Sequence, residues 1–288
     1  MIPKKPVIAF LYDFDKTLCT KDMQEYSFIP EVHMEPVAFW QESNGLAKNH
    51  KMDRILASMY LMLQKAREAK ESLCRENFVT FGHALQFFPG VEDWFARINR
   101  LGEEFQLTVE HYVISSGLRE IIEGSSIYPN FREVFASEYF YDEKGDAIWP
   151  KNMVNYTTKT QFLYRVNKGV LDISNDDDLN KFTADEKRAV PFRNMIYIGD
   201  GLTDVPCMRL VKENGGSSIA VYQKGKREAV EELLKHERVD FITLADYTEH
   251  SELDDIVRDI ICKMAMVERL YRKNQEQLVQ IKTAADEG

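Results

Sequence analysis

Apolar residues in this chain gather in short unbroken runs that stop abruptly at acids or small polar residues. The clearest run is Val7-Ile8-Ala9-Phe10-Leu11-Tyr12, which ends at Asp13. A continuous run of that length predicts a strand buried on both faces, as in a parallel sheet covered by helices on either side. Val109 to Ser115, Met195 to Gly199 and Ser218 to Val221 repeat the pattern. Between the runs the spacing changes to that of helices: Gly90 to Leu101 after a Pro-Gly signal, Thr203 to Glu213 closed by Asn214-Gly215, and Lys226 to Lys235. Strands alternating with helices predict an α/β fold, a layered parallel sheet joined by right-handed crossovers.

Two stretches break the rhythm. From Cys19 to Phe87 there is no strand run, and Met52 to Leu63 carries apolar residues at helical spacing. This stretch reads as a helical insert, residues 19–87, within a core made of 1–18 and 88–288. The second break is Ser137 to Pro150, where Tyr139-Phe140-Tyr141 and Ala147-Ile148-Trp149 flank a Gly-containing turn, a hairpin signal. After Glu252, apolar residues at Ile256, Ile260, Met264, Val267 and Leu270 predict one amphipathic helix packed on the core, with pairing into a homodimer as the lesser reading.

Composition narrows the class. The chain has 288 residues, long enough for a sizeable core, with 44% hydrophobic and 29% charged residues. Its 37 basic against 47 acidic residues leave a charge of −10, which argues against a nucleic-acid partner. No run reaches the roughly 18 apolar residues of a membrane span. Cys19, Cys74, Cys207 and Cys262 are scattered without a CxxC pair, and Val7 to Tyr12 is too short for an export signal. The expectation is a soluble cytoplasmic protein with reduced thiols.

The candidate chemistry lies where the strands end, since functional groups of open α/β sheets collect at the carboxyl ends. The first run ends in Asp13-Phe14-Asp15-Lys16-Thr17, the second in Ser115-Ser116-Gly117, and the third in Gly199-Asp200-Gly201-Leu202-Thr203-Asp204. Lys159 is expected to open a helix, with Thr157 as a candidate cap. Carboxylates gathered on one sheet edge repel unless a cation neutralises them, and hard oxygen ligands suit Mg²⁺. An aspartate can attack phosphorus to give an aspartyl phosphate, and a second acid two residues on suits proton transfer. A lysine and a serine hydroxyl suit the charged phosphoryl oxygens. Elsewhere, Asp172 to Asp178 starts like a calcium loop but lacks the required Gly and Glu, and the six histidines show no ligand spacing.

These residues resemble the four motifs of the haloacid dehalogenase-like (HAD) hydrolases. Asp13-Phe14-Asp15-Lys16-Thr17 is similar to the DxDxT signature, Ser115 to the second-motif hydroxyl, Lys159 to the third-motif lysine, and Gly199 to Asp204 to the GDGxxD motif. The resemblance implies a Rossmann-like core with a helical type-one cap, as in phosphoserine-phosphatase-like members. It implies Asp13 as nucleophile and metal ligand, with Asp15 as acid/base that lends its main-chain carbonyl to the metal. Ser115 or Ser116 with Lys159 would hold the phosphoryl group, Asp200 would ligate Mg²⁺, and Thr17, Gly201 and Asp204 would support the site. The implied activity is hydrolysis of a small phosphorylated metabolite; the alternatives are transfer to an acceptor alcohol and a non-enzymatic phospho-aspartate module. About forty residues separate Lys159 from Asp200, longer than expected of that subfamily, and the surplus falls at Gly169 to Arg193.

Overall fold

Residues 5–286 are described by a computed structural model. The chain enters through β1 (Val7–Tyr12) and then runs through α1 (Phe28–Glu31), α2 (Pro36–His50), α3 (Arg54–Ala69) and α4 (Arg75–Phe81) with no strand between them. α5 (Val91–Glu104) leads to β2 (Thr108–Leu118), α6 (Arg119–Glu123), β3 (Glu133–Tyr141) and β4 (Ala147–Asn152). The second half comprises α7 (Lys159–Lys168), α8 (Asp176–Asn180), β5 (Met195–Gly199), α9 (Val205–Glu213), β6 (Ser217–Tyr222), α10 (Glu228–Lys235), β7 (Phe241–Leu244) and α11 (Glu252–Asp286).

The strands form one sheet in the order β4-β3-β2-β1-β5-β6-β7, parallel throughout except for the β3–β4 pair. Strand alternation sends Ile8, Phe10 and Tyr12 to one face and Ala9 and Leu11 to the other. The first face packs on Trp94, Phe95 and Ile98 of α5 and on Leu253, Val257 and Ile261 of α11. The second packs on Phe162 of α7, Cys207, Met208 and Val211 of α9, and Val230 and Leu233 of α10. Helices on both faces leave no polar side to a central strand, so the apolar runs are unbroken. Each fully buried side chain of Leu or Phe size contributes about 1.5–3 kcal/mol.

Strand succession moves outward from β1 to β4, then returns to β5 on the far side of β1. The β1–β5 boundary is therefore the switch point, and ligands of such sheets bind beyond the strand ends there. Tyr12 pairs with Ile198, and the Asp13 amide donates to the Ile198 carbonyl at 2.9 Å. That register sets the residues after both strands side by side.

Three expectations are refined. β2 continues past Ser115 to Leu118, with an irregular register between Ile114 and Leu118, so Ser115-Ser116-Gly117 lies in a bulge inside the strand. The hairpin forms, but β3 also runs parallel to β2 through its first half. The tail helix is longer than its packing. Leu253, Val257, Ile260, Ile261 and Met264 are buried, whereas Val267 and Leu270 are 40% and 62% exposed. The core ends near the ion pair of Arg193 with Glu268, and α11 runs on beyond it. The surplus stretch before β5 is strapped to α7 by buried Arg165, whose guanidinium donates to the Asp172 and Ile173 carbonyls and pairs with Asp176.

Under the sheet, Trp94 Nε1 donates to the Tyr12 hydroxyl at 2.9 Å, and that oxygen lies 3.0 Å from Nδ1 of His111. His111 Nε2 is 3.0 Å from Asn99 Oδ1. Burial holds His111 down at about 3, so its ring is neutral. An unfolded histidine titrates near about 6.5. Its contribution is thus complete above that pH and is lost as pH falls toward 3, because the unfolded chain then binds the extra proton. Urea denaturation at a series of pH values should show His111→Gln losing stability less steeply than wild type between pH 6 and 4, by about 1.4 kcal/mol per pH unit.

Candidate active site

β1 delivers Asp13 into a tight loop. The Leu18 amide donates to the Phe14 carbonyl at 2.9 Å, Lys16 takes a left-handed backbone at φ 58°, and the buried Tyr247 hydroxyl donates to the Thr17 carbonyl at 2.9 Å. Non-glycine residues in that region are strained, and such strain concentrates at functional loops. β5 delivers Asp200 beside Asp13, and the start of α9 delivers Asp204 from below. One carboxylate oxygen of each of Asp13, Asp200 and Asp204 lies within 4.8 Å of the others. Gly199 is required for this approach, because a Cβ there would stand 2.6 Å from Asp204 Oδ2.

Lys159 occupies the middle of the acids. Its ammonium donates to Asp13 Oδ1 and to Asp204 Oδ1, both at 2.7 Å, with lysine and aspartates buried. Burial alone would pull the lysine down, but the two carboxylates outweigh it and hold Lys159 above its ordinary range. The Tyr197 hydroxyl adds a second bond to Asp204 Oδ1 at 2.7 Å, while buried Asp204 Oδ2 has no partner among the described residues. Tyr197 was not singled out in the sequence. The clue was a phenol inside an otherwise apolar strand, since a buried hydroxyl needs a partner.

One lysine does not balance this group. Burial, followed by repulsion from Asp204, raises Asp13 to about 6 despite Lys159. Burial and the charges of Asp13 and Asp204 raise Asp200 to about 8. Crowded oxygens with an unpartnered buried lone pair are the donor set of a hard divalent cation, so the residues fit Mg²⁺. Asp15 stands outside the three-carboxylate group. Its Oδ1 accepts from the Met23 amide at 2.8 Å, and burial, with Asp22 and Asp13 adding repulsion, pushes it well above the usual carboxylate range.

The remaining motif residues line the same strand ends. Ser115 is buried, and its Oγ accepts from the Gly117 amide at 3.0 Å. No acceptor for its own proton occurs among the described residues. Ser116 is half-buried, and its carbonyl takes the Ser137 hydroxyl. Gly117 gives room to Met23, whose terminal methyl would collide with a Cβ there. Thr17 is buried with an unpartnered Oγ1, and Gly201 faces open space. Met23 also accepts from the Leu118 amide through its sulfur, so the turn Met23–Glu25 closes down on the strand ends. At the rim, Lys16 pairs with Asp22 at 2.5 Å.

Thr157 does not cap the helix of Lys159. Asn155 does: its Oδ1 accepts from the amides of Thr157 and Thr158 at 3.0 and 2.9 Å, and its carbonyl accepts from the Lys159 amide at 3.0 Å. Asn155 Nδ2 then donates to Asp53 Oδ2 at 2.8 Å, while Asp53 Oδ1 caps α3 through the Ile55 and Leu56 amides. Two facing side chains thus fasten two helix starts, one of which carries Lys159. Sequence reading passed over both, although Asn and Asp ahead of helical runs are the ordinary capping types.

Two measurements follow from this geometry. Because Asp13 and Asp200 ionise later in the folded chain than in the unfolded one, their contribution is present below about pH 4 and is lost as pH rises through 6 and 8. Added Mg²⁺ should therefore raise Tm more at pH 8 than at pH 5.5; equal shifts would contradict a shared cation on these acids. Asn155→Ala should cost about 1–2 kcal/mol of stability by urea denaturation, the loss expected for a capping side chain.

Comparison with known proteins agrees with this architecture. Residues 10–209 match the haloacid dehalogenase-like hydrolase family. The chain is 30% identical over 289 residues to an uncharacterized protein of Borreliella burgdorferi, covering 91% of this chain and 99% of that one. Among solved structures, a HAD family hydrolase from Salmonella enterica serovar Typhi superposes with a TM-score of 0.55 at 16% identity, covering 88% of this chain and 71% of that one. A substrate-bound phosphoserine phosphatase also gives 0.55, at 15% identity, covering 88% of this chain and 98% of its own. At those identities the superpositions speak to the fold alone, while the family match spans the first strand through most of α9. The chain belongs to the haloacid dehalogenase-like hydrolases.

Proposed function

We propose that this hydrolase is a Mg²⁺-dependent phosphatase that cleaves the phosphate monoester of a small metabolite through an aspartyl phosphate on Asp13. The observation that carries the reading is the division of labour between two acids two residues apart. Asp13 is held by Lys159 beside Asp200, whereas Asp15 stands apart from that group, its Oδ1 taken by the Met23 amide, and burial with the charges of Asp22 and Asp13 pushes it well above the usual carboxylate range. Two neighbouring carboxyl groups in different surroundings, one against a lysine and two further acids and the other apart from them, suit attack and proton delivery respectively.

In the first step an Asp13 carboxylate oxygen attacks phosphorus and the bond to the leaving oxygen breaks. Asp15 gives that oxygen its proton. In the second step the Asp15 carboxylate takes a proton from water, the water oxygen attacks phosphorus, and the acyl phosphate opens to free Asp13 and inorganic phosphate. Lys159, and the Ser115 proton that lacks another acceptor, would hold the phosphoryl oxygens, with Ser116 at the rim. Asp13, Asp200 and the Asp15 carbonyl would hold Mg²⁺, which when bound supplies charge neutralisation to the transferring group. Asp204 and Tyr197 keep Lys159 aimed, and Thr17 and Gly201 shape the loops.

The stretch 19–87 is read as the cap over this site. Met23 packs beside Gly117 and bonds Asp15 through its amide, which supports a role in excluding water during transfer. A screen of phosphorylated sugars, amino acids, nucleotides and cofactors, with and without Mg²⁺, tests the reading by release of inorganic phosphate. Asp13→Asn should abolish release while leaving the folded circular dichroism intact. Asp15→Asn should slow turnover by about 10²–10⁴-fold, the usual share of a proton-transfer group. Metal-dependent release persisting in Asp13→Asn would remove the nucleophile from the scheme.

A further inference from the structure

Away from the Asp13 site, α3 and the edge strand β4 enclose a groove of about 510 Å³, a volume typical of small-molecule pockets. Leu56, Met59 and Leu63 of α3 form one side, and Ile148 and Trp149 of β4 form the other. The groove is not made by loose surface pieces. The Tyr139 hydroxyl of β3 donates to the Met59 carbonyl at 2.7 Å, and the Asp53–Asn155 bond pins the start of α3. Its walls are therefore preformed.

The lining shows what it lacks. α3 packs Ala57, Leu61, Met62 and Ala66 into the core together with Met59, which also lines the groove, whereas Leu56 and Leu63 on the groove side are only half-buried and Tyr60 is exposed. Trp149 is 70% exposed and Tyr60 54%, a cost that folding does not require. Polar groups at the far end are mostly spent on each other: Glu68 accepts from Gln64 at 2.9 Å and pairs with Lys65 at 3.1 Å. Arg67 is different, since its guanidinium makes no ion pair or hydrogen bond among the described residues. An apolar trough ending in one unpaired cation is complementary to a molecule with an apolar body and one anionic head. Methionine in the wall adapts to such chains because its thioether is flexible and polarizable.

We propose that the α3–β4 groove binds an amphipathic monoanion, a medium-chain carboxylate whose chain lies between α3 and Trp149 and whose head meets Arg67. Such an occupant touches both the helical segment and the sheet, and needs no group of the Asp13 site. The test is titration of the full chain with decanoate, read by tryptophan fluorescence, with Trp149→Phe to assign the signal and sedimentation velocity to follow mass. The expected result is a saturable change that disappears in Trp149→Phe. Arg67→Glu should weaken decanoate by up to roughly fivefold, the upper end of an exposed ion pair, while leaving the response to uncharged decanol unaltered. Ile148→Glu should remove both responses. Absence of saturation, equal decanoate affinity in Arg67→Glu, or a concentration-dependent dimer that decanoate does not alter would overturn the proposal, the last by assigning the groove to a second copy of the chain. Because the readout is binding, its failure leaves the phosphatase reading standing, and loss of phosphate release leaves the groove untouched.

Discussion

The ammonium of Lys159 is what lets three carboxylates share the buried ends of β1 and the β5–α9 loop. Two of its protons are committed at 2.7 Å to Asp13 and Asp204, with less than a tenth of any of these side chains exposed. Removing one partner from such a buried pair typically costs 3–5 kcal/mol, because the charge left behind has neither water nor a counter-ion. Against three carboxylates, one lysine leaves the arrangement two positive charges short. That imbalance is visible in Asp13 and Asp200, which hold their protons far above the usual aspartate range, and it is why the site suits a divalent cation.

Everything else in the core serves to bring that lysine and those acids to one point. Chain order reverses at the β1–β5 boundary, so residues nearly two hundred positions apart become neighbours at the ends of paired strands. α7 crosses the face on which Ala9 and Leu11 lie, and its first residue is Lys159. The stretch between α7 and β5 is tied back to α7 by Arg165. Length inserted into a surface crossover is cheap in loop entropy, which grows only slowly with residue number.

The helical segment after β1 meets this centre at two places of different character. At Met23 the contact joins a hydrogen bond from its amide to Asp15 with close packing of its methyl on Gly117. At Asp53 the contact is a hydrogen bond between capping residues, which couples the position of α3 to the start of the Lys159 helix. The two contacts act on different halves of the site, one on Asp15 and the other on the lysine that bridges Asp13 and Asp204.

Much of this was legible in one dimension. Val7 to Tyr12 and Met195 to Gly199 declared buried parallel strands because strands covered on both faces carry no polar alternation, and the acids that end them are local features of the chain. The hairpin turn, the strand-free stretch 19–87 and the lysine opening a helix belong to the same class, since each depends on residues close in sequence. Other features depended on packing between distant segments. Tyr197 reached Asp204 only because β5 turned that face toward α9, and Asn155 displaced Thr157 as the cap because its carbonyl and amide could serve two helices at once. α11 outran its core because burial ends where the globule ends, while helical periodicity carries no information about that edge. Sequence alone determined which groups are present and which strand ends they occupy, because those follow from local spacing. Tertiary structure decided which lone pairs meet which protons and what their burial does to their charge, because both are set by neighbours that no spacing along the chain reveals.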